Sequence, residues 1–157
     1  MTESDLWRLT ASEAVGLLKR REVSPLELID AAAARIEATD GVINAMPTLC
    51  LERARDHARR ILKEDGDSLL AGLPIAVKDL EDVAGVRTTY GSPIYQDHVP
   101  TRSNILVETL ESRGAVVIGK SNTPEFGAGA STFNEVFGKT RNPWNREKSV
   151  AGSSGGS

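Results

Sequence analysis

Apolar residues recur at helical spacing along the first third of the chain, and two capping signatures punctuate them. TASE, from Thr10 to Glu13, has the spacing of a capping box, in which the hydroxyl and the carboxylate each satisfy a backbone N–H at the start of a helix. A first helix is expected from there to about Arg21. SPLE, from Ser24 to Glu27, repeats the device with Pro25 at the first helical position, where its missing N–H costs nothing. The second helix places Leu26, Ile29, Ala33 and Ile36 on one face. ERARDHARR continues the pattern into a third helix, and EDGDS then breaks it with turn residues.

At Leu73 the period changes. LPIAVKDL is a short run rich in Ile and Val that reads as a buried strand, yet it carries Lys78 and Asp79 at its end. AGVRTTYGSPIYQDHVPT follows as a loop too long for a simple connection, and such loops beside buried strands commonly carry sites. Ser103 is the expected N-cap of a helix over NILVETLESR, closed by Gly114, and AVVIG is a second buried strand. The order strand, loop, helix, strand predicts an α/β layer. From Lys120 onward periodicity fades. Phe126, Phe133, Phe137 and Trp144 are then expected as packing anchors of an ordered, irregular segment.

Composition narrows the function classes. Nineteen basic and 22 acidic residues leave a net charge of −3, and no basic block is long enough to follow a phosphate backbone, so nucleic acid is not an expected partner. No apolar run approaches the roughly eighteen residues of a membrane span. MTESDLWRL lacks the charged and apolar regions of a signal peptide, and the single Cys50 cannot form an internal disulfide. A soluble cytoplasmic protein is the expectation. No metal-ligand cluster is evident, and His57 and His98 read as solvated structural residues.

Lys78 carries the chemical interest. A lysine at the end of an apolar strand either snorkels to the surface or is held out of water as a neutral amine. Lowering its pKa from about 10.4 to about 7 takes roughly 4.6 kcal/mol of differential interaction. A neutral amine can then deprotonate a hydroxyl nucleophile, directly or through a second hydroxyl held rigidly nearby. Ser153, Ser154 and Ser157 lie in the closing AGSSGGS, which by composition alone reads equally as a flexible linker or as a glycine-rich catalytic loop.

Three stretches in order, GLPIAVKDLEDVAGVRTTYGS, GAVVIGKSNTPEF and FGKTRNPWNREKSVAGSSGGS, closely resemble the N-terminal half of an amidase-signature hydrolase. EVSPLELIDAAAARIEATDGVINA looks like that family's leading helices. The resemblance implies an α/β fold with a mixed central sheet covered by helices on both sides. It makes residues 1–157 a single incomplete amidase domain, with a helical arm over 1–66 and the start of the α/β core over 67–157. It further implies hydrolysis of a carboxamide C–N bond by a Ser-Ser-Lys triad through an acyl-enzyme, without metal or organic cofactor. By motif position Lys78 matches the family's base. Ser153 matches the relay serine, whose preceding peptide bond is cis in the family, and Ser154 would support the network.

The family's nucleophilic serine and oxyanion hole lie about two dozen residues beyond the relay serine, in a Gly-Gly-Ser turn. That places the nucleophile beyond Ser157, which is not a substitute for it, and the 157 residues alone are expected to be inert. Val150 and Ala151 stand where the family usually has Pro and Gly. The expected partners are a small-molecule amide and either a second copy in a homodimer or the C-terminal part of the same protein. Two other readings follow. One is the A subunit of a tRNA-dependent amidotransferase, a glutaminase working in a complex, although Thr123 and Pro124 in KSNTPEF look more like the stand-alone amidases. The other is a non-catalytic truncated module.

Overall fold

The capping signatures form as the spacing predicts. In this computed structural model, which describes residues 3–63 and 68–156, helix α1 spans Ala11–Lys19. The Glu13 amide donates to Thr10 Oγ1 while the Glu13 carboxylate accepts from the Thr10 amide at 2.8 Å. Ser24 and Glu27 exchange the same pair of bonds at the head of α2, Pro25–Ile43. Helix α3 spans Leu51–Ile61. Of the EDGDS break, Glu64 to Asp67 lie outside the described residues.

The described residues group into two compact units, Met1–Ala38 with Cys50–Ile75 and Thr109–Ile118, and Thr39–Leu49 with Ala76–Glu108 and Gly119–Ser157. In the first, Leu6, Ala14, Leu18, Val23 and Leu28 form the core. The face expected on α2 is realised in part: Ile29 is fully buried, but its buried neighbour is Leu28. Gly72 sits at φ +96°, and a Cβ there would lie 2.3 Å from Pro25 Cγ. This close approach seats the entry to the strand against the start of α2. In the same unit, Arg53 on α3 makes paired hydrogen bonds with Glu111, at 2.7 and 3.1 Å, and His57 Nδ1 stands 3.5 Å away. His57 is therefore a packed partner of a carboxylate, with its side chain only 16% exposed, and not the solvated residue expected.

A mixed three-stranded sheet runs in the order β1 (Thr48–Leu49), β3 (Val116–Ser121), β2 (Pro74–Lys78). Strand β1 is antiparallel to β3, pairing Thr48 with Lys120. Bonds from Val116 N to Leu73 O and from Asp79 N to Ser121 O climb both other strands together, so β2 and β3 are parallel. The α/β class is as expected. Strand β3 is buried at every position, whereas in β2 only Val77 is. Between them α4 spans Ile105–Ser112. Its capping side chain is Asn104, whose Oδ1 accepts from the Leu106 amide, because the Ser103 hydroxyl is already taken by the Ala84 amide. Gly114, at φ +89°, closes the helix.

The segment after β3 departs most from expectation. Two short antiparallel pairs occupy it: β4 (Phe133–Asn134) with β5 (Gly138–Lys139), and β6 (Arg141–Asn142) with β7 (Asn145–Ser149). Three of the four aromatics are not its anchors, since Phe126, Phe133 and Trp144 are exposed, Trp144 to 92%, whereas Phe137 is half-buried beneath the Arg87 guanidinium. Its anchors are small polar residues. Asn122, Thr123, Thr132, Asn134 and Thr140 are buried. Asn122 Nδ2 donates to Thr140 Oγ1 and Gly138 O, and its Oδ1 accepts from Asn134 Nδ2 at 2.8 Å. Thr140 Oγ1 in turn donates to Asn44 O. Irregular backbone offers many unpaired groups, and side-chain amides satisfy them where phenyl rings cannot.

Two outcomes are expected. Gly72→Ala should lower stability by about 1–3 kcal/mol in urea unfolding, because the methyl meets Pro25 and the backbone is left-handed. Burial alone would raise the Glu111 pKa, but hydrogen bonds from His57 and Arg53, with their charges, hold it down at about 2. A carboxylate depressed in this way contributes stability above its ordinary value of 4.5 and loses it as pH falls toward 2. Thermal melts between pH 5 and 2 should therefore fall more steeply for the native chain than for Glu111→Gln.

Candidate active site

Strand β2 ends at Lys78, and the next amide, Asp79 N–H, is held by Ser121 O on β3 at 2.9 Å. That bond fixes where the lysine leaves the sheet. Lys78 is half-buried, and its Nζ donates to Ser153 Oγ at 3.0 Å. Loss of water around the amine lowers its pKa, and the charge of Glu81 opposes this more weakly. Two residues far apart in sequence thus meet within hydrogen-bond distance.

Ser153 is placed by the backbone of its loop. Thr132 N donates to Val150 O, Gly152 N to Ala130 O, and Gly155 N to Thr132 Oγ1 at 2.9 Å. A Cβ on Gly155 would lie 2.2 Å from Val150 Cγ2, and one on Gly156 2.5 Å from both Ala45 O and Asn122 N. No residue with a side chain fits at either position, which is why Gly155 and Gly156 are glycines. Val150 uses this space by leaning over Gly155.

Every peptide bond among the described residues is trans, so the cis bond expected before Ser153 is not present. A cis bond without proline persists only where its surroundings enforce it, and here Gly152 is exposed with no atom near its Cβ position. Ser153 instead adopts φ +27°, a left-handed conformation unusual for a side-chain-bearing residue. Ser154 is exposed and bonds through its amide to Gly152 O, not through its hydroxyl to the lysine. Ser157 lies outside the described residues.

Sequence reasoning missed a buried ion pair beside this contact. Asp79 and Lys120 are both 0% exposed, with Lys120 Nζ 3.2 Å from Asp79 Oδ1. The other carboxylate oxygen accepts from Thr89 N and Thr89 Oγ1, at 3.0 and 2.6 Å. Lys120 Nζ also donates to Glu81 O at 2.7 Å and Thr88 Oγ1 at 2.8 Å. The available signal was a charge at the end of each apolar strand, in AVKD and in AVVIGK. Further along, Tyr90 donates to Asp82 Oδ1 at 2.6 Å and stacks with His98, which is therefore also not simply solvated.

Among the described residues no group of three or more His, Cys, Asp or Glu could hold a metal ion, and no helix is long and apolar enough to cross a membrane. An open hollow of about 600 Å³ is lined by Ser131, Phe133, Lys139, Glu147 and Ser149, and neither Lys78 nor Ser153 borders it.

The chain is thus an α/β chain with a half-buried lysine bonded to a serine of a glycine-rich loop. The family model described as Amidase matches residues 27–157, and the chain belongs to that family, the amidase-signature proteins. Among curated relatives it is 43% identical over 156 residues to the A subunit of the glutamyl-tRNA(Gln) amidotransferase of Geotalea daltonii, covering 98% of this chain and 32% of that one. Among solved structures it resembles 6-aminohexanoate cyclic dimer hydrolase, with 33% identity, a TM-score of 0.87, and 98% of this chain and 31% of that one covered. A fatty acid amide hydrolase follows at 26% identity and TM-score 0.89, with 99% and 29% covered. The chain spans about a third of the length of the curated relatives it matches.

Asn122 links the segment before the site to the hairpins after it. Asn122→Ala should cost about 2–3 kcal/mol in denaturant unfolding, because it strands buried partners on Asn134 and Thr140.

Proposed function

We propose that this chain carries the base and relay of a serine amidase, which cleaves a carboxamide C–N bond through an acyl-enzyme. The observation that carries the reading is the 3.0 Å contact between the half-buried Lys78 amine and Ser153 Oγ. In this mechanism neutral Lys78 takes the Ser153 hydroxyl proton as Ser153 takes one from a nucleophilic serine. By the family pattern that serine lies beyond Ser157. The alkoxide attacks the amide carbon, the tetrahedral intermediate expels the amine with a proton returned through Ser153, and water activated by the same relay releases the acid. Proton transfer by a positioned base is worth roughly 10²–10⁴ in rate. Membership of the amidase family and the downward pull of burial on Lys78 both support this role.

A second reading has its own support. The amidotransferase A subunits of Geotalea daltonii and Moorella thermoacetica are 43% and 44% identical to this chain, which favours a glutaminase acting within a complex. Glutamine hydrolysis that needs the partner subunits supports it, and hydrolysis of simple amides without them supports the stand-alone amidase.

In the full-length protein, Lys78→Ala and Ser153→Ala should each lower kcat/KM for amide hydrolysis by about 100-fold or more. Native activity should rise with pH, because only the neutral amine accepts a proton, with a midpoint below the ordinary lysine value of 10.5. Amide hydrolysis at neutral pH that survives the lysine change would overturn the assignment.

A further inference from the structure

The Asp79–Lys120 pair is not used in the mechanism above, yet it is wholly buried one residue from the proposed base. Its placement is not that of a generic core contact. Asp79 is tied to β3 through its amide and to the following loop through Thr89, while Lys120 reaches back to Glu81 O and Thr88 Oγ1. The cluster therefore joins residues 79–81, 88–89 and 120–121 at the end of the strand that carries Lys78. All of these contacts lie within one compact unit.

The charges matter as much as the ties. A carboxylate adjacent to a lysine favours its protonated form, and leaving a buried one unpaired on the next residue is expected to shift the neighbouring equilibrium by about tenfold. Burial lowers the Lys78 pKa, and the charge that works against this is that of Glu81, three residues on. Asp79 Oδ1 faces the Lys120 ammonium as an ion pair without a hydrogen bond, and Oδ2 accepts from two donors of Thr89, so a cation and two donors already face the charge. The groups around Lys78 are thus Ser153 from the glycine-rich loop, Glu81 from its own segment and the closed Asp79–Lys120 pair, with the Tyr90–Asp82 pair beyond Thr89.

We propose that Asp79 and Lys120 are positioning residues for Lys78: Lys120 holds the Asp79 carboxylate in a closed neutral pair, which fixes the strand end and leaves the Lys78 amine free to give up its proton. The value of this arrangement to catalysis rests on the reading of Lys78 as a base, but the electrostatic claim does not.

The test measures Lys78 directly. The intact chain, confirmed as folded by its thermal melt, is labelled briefly with acetic anhydride across pH 6–11, and acetylation of Lys78 is followed by peptide mass spectrometry with the exposed Lys63 as internal reference. Only the neutral amine reacts, so the rate reports the proton. Lys120→Met leaves Asp79 unanswered and should slow Lys78 labelling at pH 7 about tenfold by moving its pH profile upward. Asp79→Asn leaves Lys120 unanswered and should move the profile the opposite way, whereas Lys120→Met/Asp79→Asn should return it to within about twofold of native. Lys120→Arg, which keeps the charge, should lie near native.

If Lys120→Met does not fold, the downward shift in Asp79→Asn decides the matter alone. An unchanged Lys78 profile in Asp79→Asn, or a double variant that stays shifted, overturns the proposal. Loss of the Lys78 role in amide hydrolysis with these shifts intact would count against the proposed function only.

Discussion

A lysine amine is useful as a base only where water has been taken from it, and removing water also takes away the easiest partner the amine could have. The proposed base, Lys78, faces both demands at one point. Strand β2 carries Lys78 to the edge of the interior, and Ser153 supplies a hydroxyl at 3.0 Å in place of water. That hydroxyl cannot come from a side chain nearby in sequence, because the residues flanking Lys78 are committed to the sheet and to the buried ion pair. It has to be delivered by a separate loop whose backbone comes unusually close. Gly155 and Gly156 allow that approach, and Thr132 and Asn122 receive it.

The same demand explains why the unit around the site has a polar core. Holding a loop to ångström tolerance requires directional bonds, and dispersion between rings gives less angular control. Asn122 and Asn134 bond to each other and to backbone carbonyls and amides on both sides, so the segment from 119 to 140 is pinned at several points. The cost of such a network is that every member must be satisfied, and the buried amides here have partners for both their oxygen and their nitrogen. Several aromatics, freed from the core, stand outside: Phe126 and Tyr95 meet edge to face at the surface, and Trp144 lies almost fully exposed.

This division sets what the sequence could reveal. Helix starts were legible because Thr10 with Glu13 and Ser24 with Glu27 are local devices, complete within four residues. The first part of β3 was legible because the apolar run AVVIG needs no partner to be recognised, while its continuation through Lys120 and Ser121 was not. Ser103 was misread as a cap because the competing claim on its hydroxyl, from Ala84, is set by tertiary folding. Strands of two residues, such as β1 and β4, carry no period to detect. The aromatic anchors failed for a related reason, since burial preference is an average and cannot register that irregular backbone nearby needs amide partners. The Lys78–Ser153 contact was reached only through the family resemblance, whereas Lys120 and Asp79, plain charges at strand ends, carried no motif that named them.

What the site leaves open between a stand-alone amidase and a glutaminase working in a complex follows from its chemistry. A base that deprotonates a serine is indifferent to the group later expelled, so Lys78 and Ser153 would serve either reaction equally. Discrimination has to come from residues that meet the substituents of the amide, and those must be accessible. The buried network of Asn122, Asn134 and Thr140 is excluded by that criterion, because its donors and acceptors are already consumed. Within the described residues of this unit the accessible, chemically varied surface includes Tyr95, Phe126, Phe133 and Trp144, and charged residues such as Lys139 and Glu147. In the proposed enzyme the reaction type is therefore set by what is buried and the choice of amide by what is exposed, so the two can change independently in the same fold.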